Sequence, residues 1–119
     1  MPMNAEIDLL KFQQSSGSLK WLPVVAEAFL RQLPRWRVDF DTALAEQNLG
    51  HQGDLLHKIK GSCYAVAAYN IIDEITLAEA AHALGKPLAP FRLLRQLEWV
   101  ETELRAIVAQ SQAQQALAA

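Results

Sequence analysis

Apolar residues recur three and four positions apart through nearly the whole chain, which is the spacing of one face of an α-helix. The clearest example is a heptad-like seam near the C-terminal end, formed by Leu93, Leu97, Val100, Leu104 and Ile107. No stretch alternates apolar and polar residues as a half-buried strand does, and the chain has only five glycines and five prolines. The sequence therefore predicts an all-α protein.

Turn-forming residues divide this pattern into helices. A short first helix is predicted over residues 5–14, and a long helical segment follows over residues 19–47, with a kink or a break at Pro34. Asn48, Leu49 and Gly50 are predicted to end that segment.

Three further boundaries follow from the same signals. The next two helices are predicted over residues 52–69 and 70–84, and Gly85 suits the left-handed position that follows a helix. The last helix is predicted to begin near Pro90, and the Gln- and Ala-rich residues after Ser111 are expected to fray.

Long amphipathic helices joined by short connections pack best against antiparallel neighbours. The expected architecture is an antiparallel up-down-up-down four-helix bundle with a short additional N-terminal helix. A chain of 119 residues, 51% of them hydrophobic, is long enough for one domain with a genuine core and too short for two. We expect a single domain over residues 1–119, with its packed core over about residues 8–110.

Charge and cysteine content restrict the partners and the compartment. The formal net charge is −2, whereas a surface for nucleic acid or an anionic membrane needs a basic face. The single cysteine, Cys63, cannot form an internal disulfide, and the longest apolar run is far too short to span a bilayer. We expect a cytoplasmic monomer that binds no nucleic acid and makes no membrane contact.

Residues 57–63, with the sequence HKIKGSC, place a histidine, two lysines and a glycine on successive turns of one predicted helix. Helical spacing turns one set of residues toward the core: Leu56, Ile59, Cys63 and Val66. The opposite, outward face carries a second set: Asp54, His57, Lys60, Gly61, Tyr64 and Ala68. A glycine in an exposed helix interior costs about 0.8 to 1 kcal/mol relative to alanine. The simplest reason for Gly61, one turn after His57, is access to the imidazole.

These residues resemble the signature of bacterial histidine-phosphotransfer (HPt) domains, which is His-x-Leu-Lys-Gly-Ser followed by a small pair and a further helix. The matching positions are His57, Ile59, Lys60, Gly61 and Ser62. The resemblance covers about residues 8–107 and is greatest to the phosphotransfer modules of tripartite hybrid sensor kinases.

Further positions match less closely. Ala67 and Ala68 fall where the family often has Gly-Ala, and Glu79 falls where it often has a Leu-Glu pair. Ala67 thus replaces a common glycine, and the bulky Tyr64 occupies a position that is often small. Both departures affect the surface on which a partner would dock.

The resemblance implies a phosphorelay intermediate without ATP-dependent kinase activity. A response-regulator receiver domain would pass the phosphoryl group of its phosphoaspartate to His57, which would pass it to another receiver, and a hybrid sensor histidine kinase would be a further partner. The magnesium ion would belong to the receiver, so the chain itself is expected to need no cofactor and no metal.

The predicted outward face assigns roles around His57. Lys60, three residues away on the same face, is the candidate for stabilising the phosphoryl group, because such transfer depends on positioning and electrostatics. Lys58 points about 100° away and is a candidate for steering the partner. The other candidate docking residues are Asp54, Gly61, Tyr64 and Ala68.

Three alternatives remain open. Asp54-x-x-His57 and Glu79-x-x-His82 resemble the acid-x-x-His elements of metal-binding carboxylate/histidine helical bundles, although a full dimetal site needs two further inward carboxylates. A dimerising histidine-kinase helix pair would need a nucleotide-binding segment, and the sequence contains no glycine-rich one. The last alternative is an interaction bundle without phosphoryl chemistry.

Overall fold

The structure is a computed structural model that describes residues 5–86 and 90–118. This part of the chain contains five α-helices and one turn of 3-10 helix, and no strand, which confirms the predicted fold class at the all-α level. The elements are α1 (Leu9–Ser16), the 3-10 turn (Leu19–Trp21), α2 (Leu22–Ala45), α3 (Leu49–Ala65), α4 (Tyr69–Ala83) and α5 (Pro90–Ala118).

The four long helices surround one apolar core. Helix α2 packs against α3 and α5, and α4 packs against the same two helices. The largest fully buried side chains come from all four of them: Leu33, Trp36, Phe40, Leu56, Ile59, Ile71, Ile75, Leu97, Val100 and Leu104. The molecule is therefore a helical bundle. None of the helices in the described part of the chain is both long enough and apolar enough to cross a membrane.

The N-terminal segment is attached to the connection between α3 and α4 and to the first turn of α4. The backbone N–H of Asp8 donates to the carbonyl of Ala67 at 2.9 Å, and the side-chain amide of Asn70 donates to the carbonyl of Ala5 at 3.2 Å. Asp8 also caps α1 by accepting from the N–H of Lys11 at 3.0 Å. The first helix accordingly begins at Leu9 rather than at Ala5, where the sequence placed it.

Helix α2 continues through Pro34 over 24 residues. A proline inside a helix removes the hydrogen bond to the carbonyl four residues earlier, here that of Leu30. Pro34 is exposed, whereas Leu33 and Trp36 beside it are buried. Because both halves of the helix pack into the core, the helix continues across the proline as one element.

The ends of α3 differ from the prediction. Asn48 begins the helix rather than ending the previous one, because its side chain accepts from the N–H of His51 at 3.0 Å. At the other end, the N–H of Ala68 donates to the carbonyl of Cys63 at 2.9 Å, and Ala67 takes a left-handed φ of 58°. This is a Schellman motif, which closes α3 at Ala65, four residues before the predicted end.

Two boundaries near the C-terminal end had mixed outcomes. Gly85 has a φ of 75°, which confirms the left-handed position predicted after α4. The fraying predicted after Ser111 is wrong, because α5 continues to Ala118. Glutamine and alanine are good helix formers, so this segment is helical although nearly all of its side chains are exposed.

Candidate functional site

His57 lies near the middle of α3 and is exposed to solvent. Its neighbours Leu56 and Ile59 are completely buried, as are Cys63 and Val66 further along the chain. All four core positions predicted around the histidine are confirmed, and the exposure of His57 agrees with its predicted outward orientation. The imidazole is therefore accessible to a second macromolecule without any change in the bundle.

Gly61 follows His57 by one turn on the same exposed face. A Cβ atom built at this position would meet no other atom within 4 Å. Packing within the bundle therefore gives no reason for a glycine here. The space beside the imidazole is left open on the surface, where a partner could approach the α3 backbone closely.

Lys60 forms an ion pair that crosses from α3 to α4. Its Nζ lies 3.0 Å from Oε1 of Glu79, and the two side chains are 24% and 30% exposed. An ammonium group carries three N–H donors, so one carboxylate does not exhaust its capacity to bind an anion. The candidate phosphoryl-stabilising cation is thus paired with a carboxylate to which the phosphotransfer interpretation had given no role beside His57.

The other candidate docking residues divide into two groups. Asp54 and Tyr64 are exposed on α3, as the helical spacing predicted, and Lys58, which was not placed on that face, is exposed as well. Ala68 is completely buried, so its predicted place on the outward face is wrong. The spacing rule fails there because α3 ends at Ala65 and Ala68 belongs to the turn that precedes α4.

Tyr64 extends the exposed face toward the C-terminal end of α3. It is 51% exposed, and its ring packs edge-on against Tyr69 with the ring centroids 6.0 Å apart. The ammonium group of Lys11 lies 4.5 Å from the centroid of the Tyr69 ring. A partner that covered His57 and Gly61 would therefore meet an aromatic surface with a cation behind it.

An open groove runs between α2 and α3 beside the histidine face. It is lined by Val25, Ala28, Phe29, Gln32, Trp36, Lys58, Ser62 and Ala65. Trp36 is one of the lining residues, and its indole N–H is buried and has no acceptor among the described residues. The groove is therefore lined by apolar side chains and by Lys58, which belongs to the 57–63 motif.

The side chains of the metal-binding alternative are not gathered into one cluster. His82 lies against Gly53, and Glu79 is paired with Lys60. Within residues 5–86 and 90–118, no group of three His, Cys, Asp or Glu side chains is arranged to hold a metal ion. The metal-binding bundle stays a hypothesis.

Comparison of the chain with protein-family models, with curated proteins and with solved structures finds no significant match.

Proposed function

We propose that this protein is a histidine-phosphotransfer domain of a two-component phosphorelay, in which His57 accepts a phosphoryl group from one receiver domain and passes it to another. One observation carries the proposal. The exposed face of α3 presents His57 beside Gly61, a glycine that the packing of the bundle does not require, and Lys60 lies one turn away. This arrangement suits a nucleophile that must be reached by another folded protein.

The chemistry needs few groups from this chain. The lone pair of a neutral ring nitrogen of His57 attacks phosphorus, the N–P bond forms, and the P–O bond to the receiver's aspartate breaks. The aspartate leaves as a carboxylate, and the other ring nitrogen keeps its proton. Onward transfer is the reverse step with a second receiver. Catalysis is then mainly positioning and electrostatic stabilisation, for which Lys60 supplies a cation.

The fold supports the same proposal. Residues 46–48 join α2 to α3 and residues 66–68 join α3 to α4, and each connected pair is packed together. Connections this short favour antiparallel neighbours, so an up-down-up-down bundle belongs to the proposal. We propose a cytoplasmic monomer without ATP-dependent kinase activity, with the aspartate and the magnesium ion supplied by the receiver domain.

The docking surface would consist of the exposed α3 residues around the histidine. On the C-terminal side of His57, Gly61 leaves an open area and Tyr64 provides an aromatic surface. Asp54 lies on the N-terminal side. Lys58 is exposed toward the groove between α2 and α3, where it could steer an acidic partner. A hybrid sensor kinase and response regulators would share this surface.

The test is transfer from phosphorylated receiver domains to the purified protein. Wild-type protein and His51→Gln should be labelled, and His57→Gln should not. His51 is the matched control because it is a half-buried histidine at the start of the same helix. The label should be labile in acid and stable in base. Equal labelling of His57→Gln and the wild type would rule out His57 as the acceptor.

A further inference from the structure

The ion pair between Lys60 and Glu79 places a negative charge next to the site where the proposed function would put a phosphoryl group. Lys60 follows His57 by three residues, so their Cβ atoms are about 5 to 6 Å apart on the surface of α3. Glu79 reaches the lysine from α4, with 3.0 Å between Oε1 and Nζ. The same ammonium group therefore lies within reach of two anions.

Glu79 is always present, whereas the second anion is present only after His57 has been phosphorylated. In the unphosphorylated protein, Glu79 neutralises Lys60. A phosphoryl group on His57 would add a charge of nearly −2 and three strong acceptor oxygens. Hydrogen bonds between an ammonium group and such an anion are among the stronger ones in proteins. Phosphorylation would then have to draw Lys60 away from Glu79 or share it.

We propose that Glu79 is a positioning residue that competes with the phosphoryl group for Lys60 and thereby limits how strongly His57 retains it. The proposal rests on the proposed phosphotransfer function. In the empty state, the carboxylate keeps the lysine ordered beside the histidine. In the loaded state, the same carboxylate weakens the hold of Lys60 on the phosphoryl group, which favours release to the next receiver.

The exposure of the pair suits reversible exchange. Both side chains are partly accessible, so solvent can replace either partner while Lys60 changes its contact. A fully buried pair would instead leave one charge unpaired when the other moved away, which is strongly unfavourable. The structure thus allows Lys60 to change partners with a small difference in free energy.

Helix α4 provides a matched control for Glu79. Glu74 also reaches from α4 to a cation on a neighbouring helix, with 2.8 Å between its Oε1 and Nη2 of Arg92 on α5. The Glu74 side chain is 24% exposed, close to the 30% of Glu79. Replacing Glu74 removes a carboxylate of similar exposure and its interhelical ion pair, here with the more exposed Arg92, without touching Lys60.

The experiment measures the equilibrium distribution of the phosphoryl group between this protein and the receiver domain that labels it. Wild type, Glu79→Gln and Glu74→Gln are each mixed with that phosphorylated receiver and magnesium, and the phosphorylated fraction on His57 is read at equilibrium. The equilibrium constant for loading should rise about two- to fivefold in Glu79→Gln and stay at the wild-type value in Glu74→Gln. An unchanged or lowered constant in Glu79→Gln overturns the proposal.

Two further variants separate the possible causes. Glu79→Ala also removes the charge and should shift the equilibrium in the same direction, with thermal melts showing which variants are folded. In a Lys60→Ala background, Glu79→Gln should have no effect, because the competition acts through the lysine. A shift of the same size in that background would overturn the route through Lys60. If no receiver labels wild-type His57, the proposed function itself is wrong. If labelling is normal and the equilibrium is unaltered in Glu79→Gln, only the role proposed for Glu79 is wrong.

Discussion

Gly53 of α3 lies against the imidazole of His82 on α4, so that a Cβ atom at position 53 would be 3.2 Å from Cε1 of His82. Gly61, about two turns further along α3, faces open space. The two glycines therefore serve different purposes. Gly53 permits the side chain of α4 to approach the α3 backbone, whereas Gly61 contributes nothing to packing within the bundle.

This difference predicts unequal consequences for two identical substitutions. Gly61→Ala should raise the free energy of unfolding by about 0.8 to 1 kcal/mol, because alanine is the better helix former and its methyl group meets nothing. Gly53→Ala should gain less or lose stability, because the His82 ring must move by a few tenths of an ångström. Urea denaturation of the two variants and the wild type measures both effects.

The same Gly61→Ala variant tests the role of the exposed face. If a receiver approaches the α3 backbone beside His57, the added methyl group should slow phosphotransfer even though it stabilises the fold. Rapid-quench transfer assays with a labelled receiver give the rate. A more stable Gly61→Ala protein with the wild-type transfer rate would contradict a close approach at this position.

Two residues other than glycine hold left-handed backbone conformations at the ends of helices. Gln47 has a φ of 52° and Ala67 a φ of 58°. Such a conformation costs an L-residue about 1 to 2 kcal/mol. A glycine relieves this strain, but its greater conformational freedom in the unfolded chain offsets part of the gain in stability. Gln47→Gly should raise the free energy of unfolding by about 0.5 to 1 kcal/mol.

Ala67→Gly should gain less than Gln47→Gly. Ala67 is buried, so the substitution also removes a methyl group from the core at about 0.8 kcal/mol, while Gln47 is exposed. Glu46→Gly is the control, because Glu46 has an ordinary φ of −84° and a glycine there should only destabilise. Chemical denaturation of the three variants provides the ranking, and a larger gain at Ala67 than at Gln47 would contradict this explanation.

The core-facing residues of α3 could be predicted because helical spacing is a local property. Leu56, Ile59 and Cys63 follow one another at three or four residues, and each is completely buried. The failure at Ala68 has a physical cause in Ala67. Alanine is not a residue type that indicates a left-handed conformation, so the helical spacing gives no sign that the helix ends before Ala68.

The ion pair of Lys60 could not be predicted from spacing alone. Glu79 lies 19 residues further along the chain, on a different helix. Whether its carboxylate reaches Lys60 depends on how α3 and α4 are rotated against each other, which is set by packing of the whole core. The sequence singled out Glu79 only as a position of the HPt resemblance and as part of Glu79-x-x-His82, and neither pattern pairs it with Lys60.

The buried thiol of Cys63 should not react while the protein is folded. Burial raises the pKa of this thiol from 9.0 to about 12, and the side chain is completely inaccessible. Because the thiolate is the reactive form, a disulfide reagent at about pH 8 should modify the native protein only as fast as it unfolds. The same reagent should react at once with one thiol per chain in denaturant. Rapid modification under native conditions would show that the α3 core opens locally.

The carboxylate of Glu101 should make the stability of the bundle depend on pH in a defined direction. A hydrogen bond from Arg37 on α2 is the main cause that holds the pKa of Glu101 below its ordinary value of 4.5; burial opposes the shift, and Arg105 adds to it. A carboxyl group whose pKa is lowered by folding stabilises the protein above its unfolded-state pKa, and this contribution is lost as the pH falls through the folded-state value.

Glu101→Gln should therefore be less stable than the wild type by roughly 0.5 to 1 kcal/mol at neutral pH, which is the upper range for an accessible ion pair. The difference should stay constant while the pH is above the unfolded-state pKa of the carboxyl group, and it should close as the pH falls below the lowered folded-state pKa, because the wild-type carboxylate then becomes protonated. Glu98→Gln, at an exposed position on the same helix, is the control and should track the wild type at every pH. Urea denaturation across this pH range measures the difference. A gap between Glu101→Gln and the wild type that is unchanged at the acidic end would mean that lost packing, and not the ion pair with Arg37, is responsible for the loss of stability.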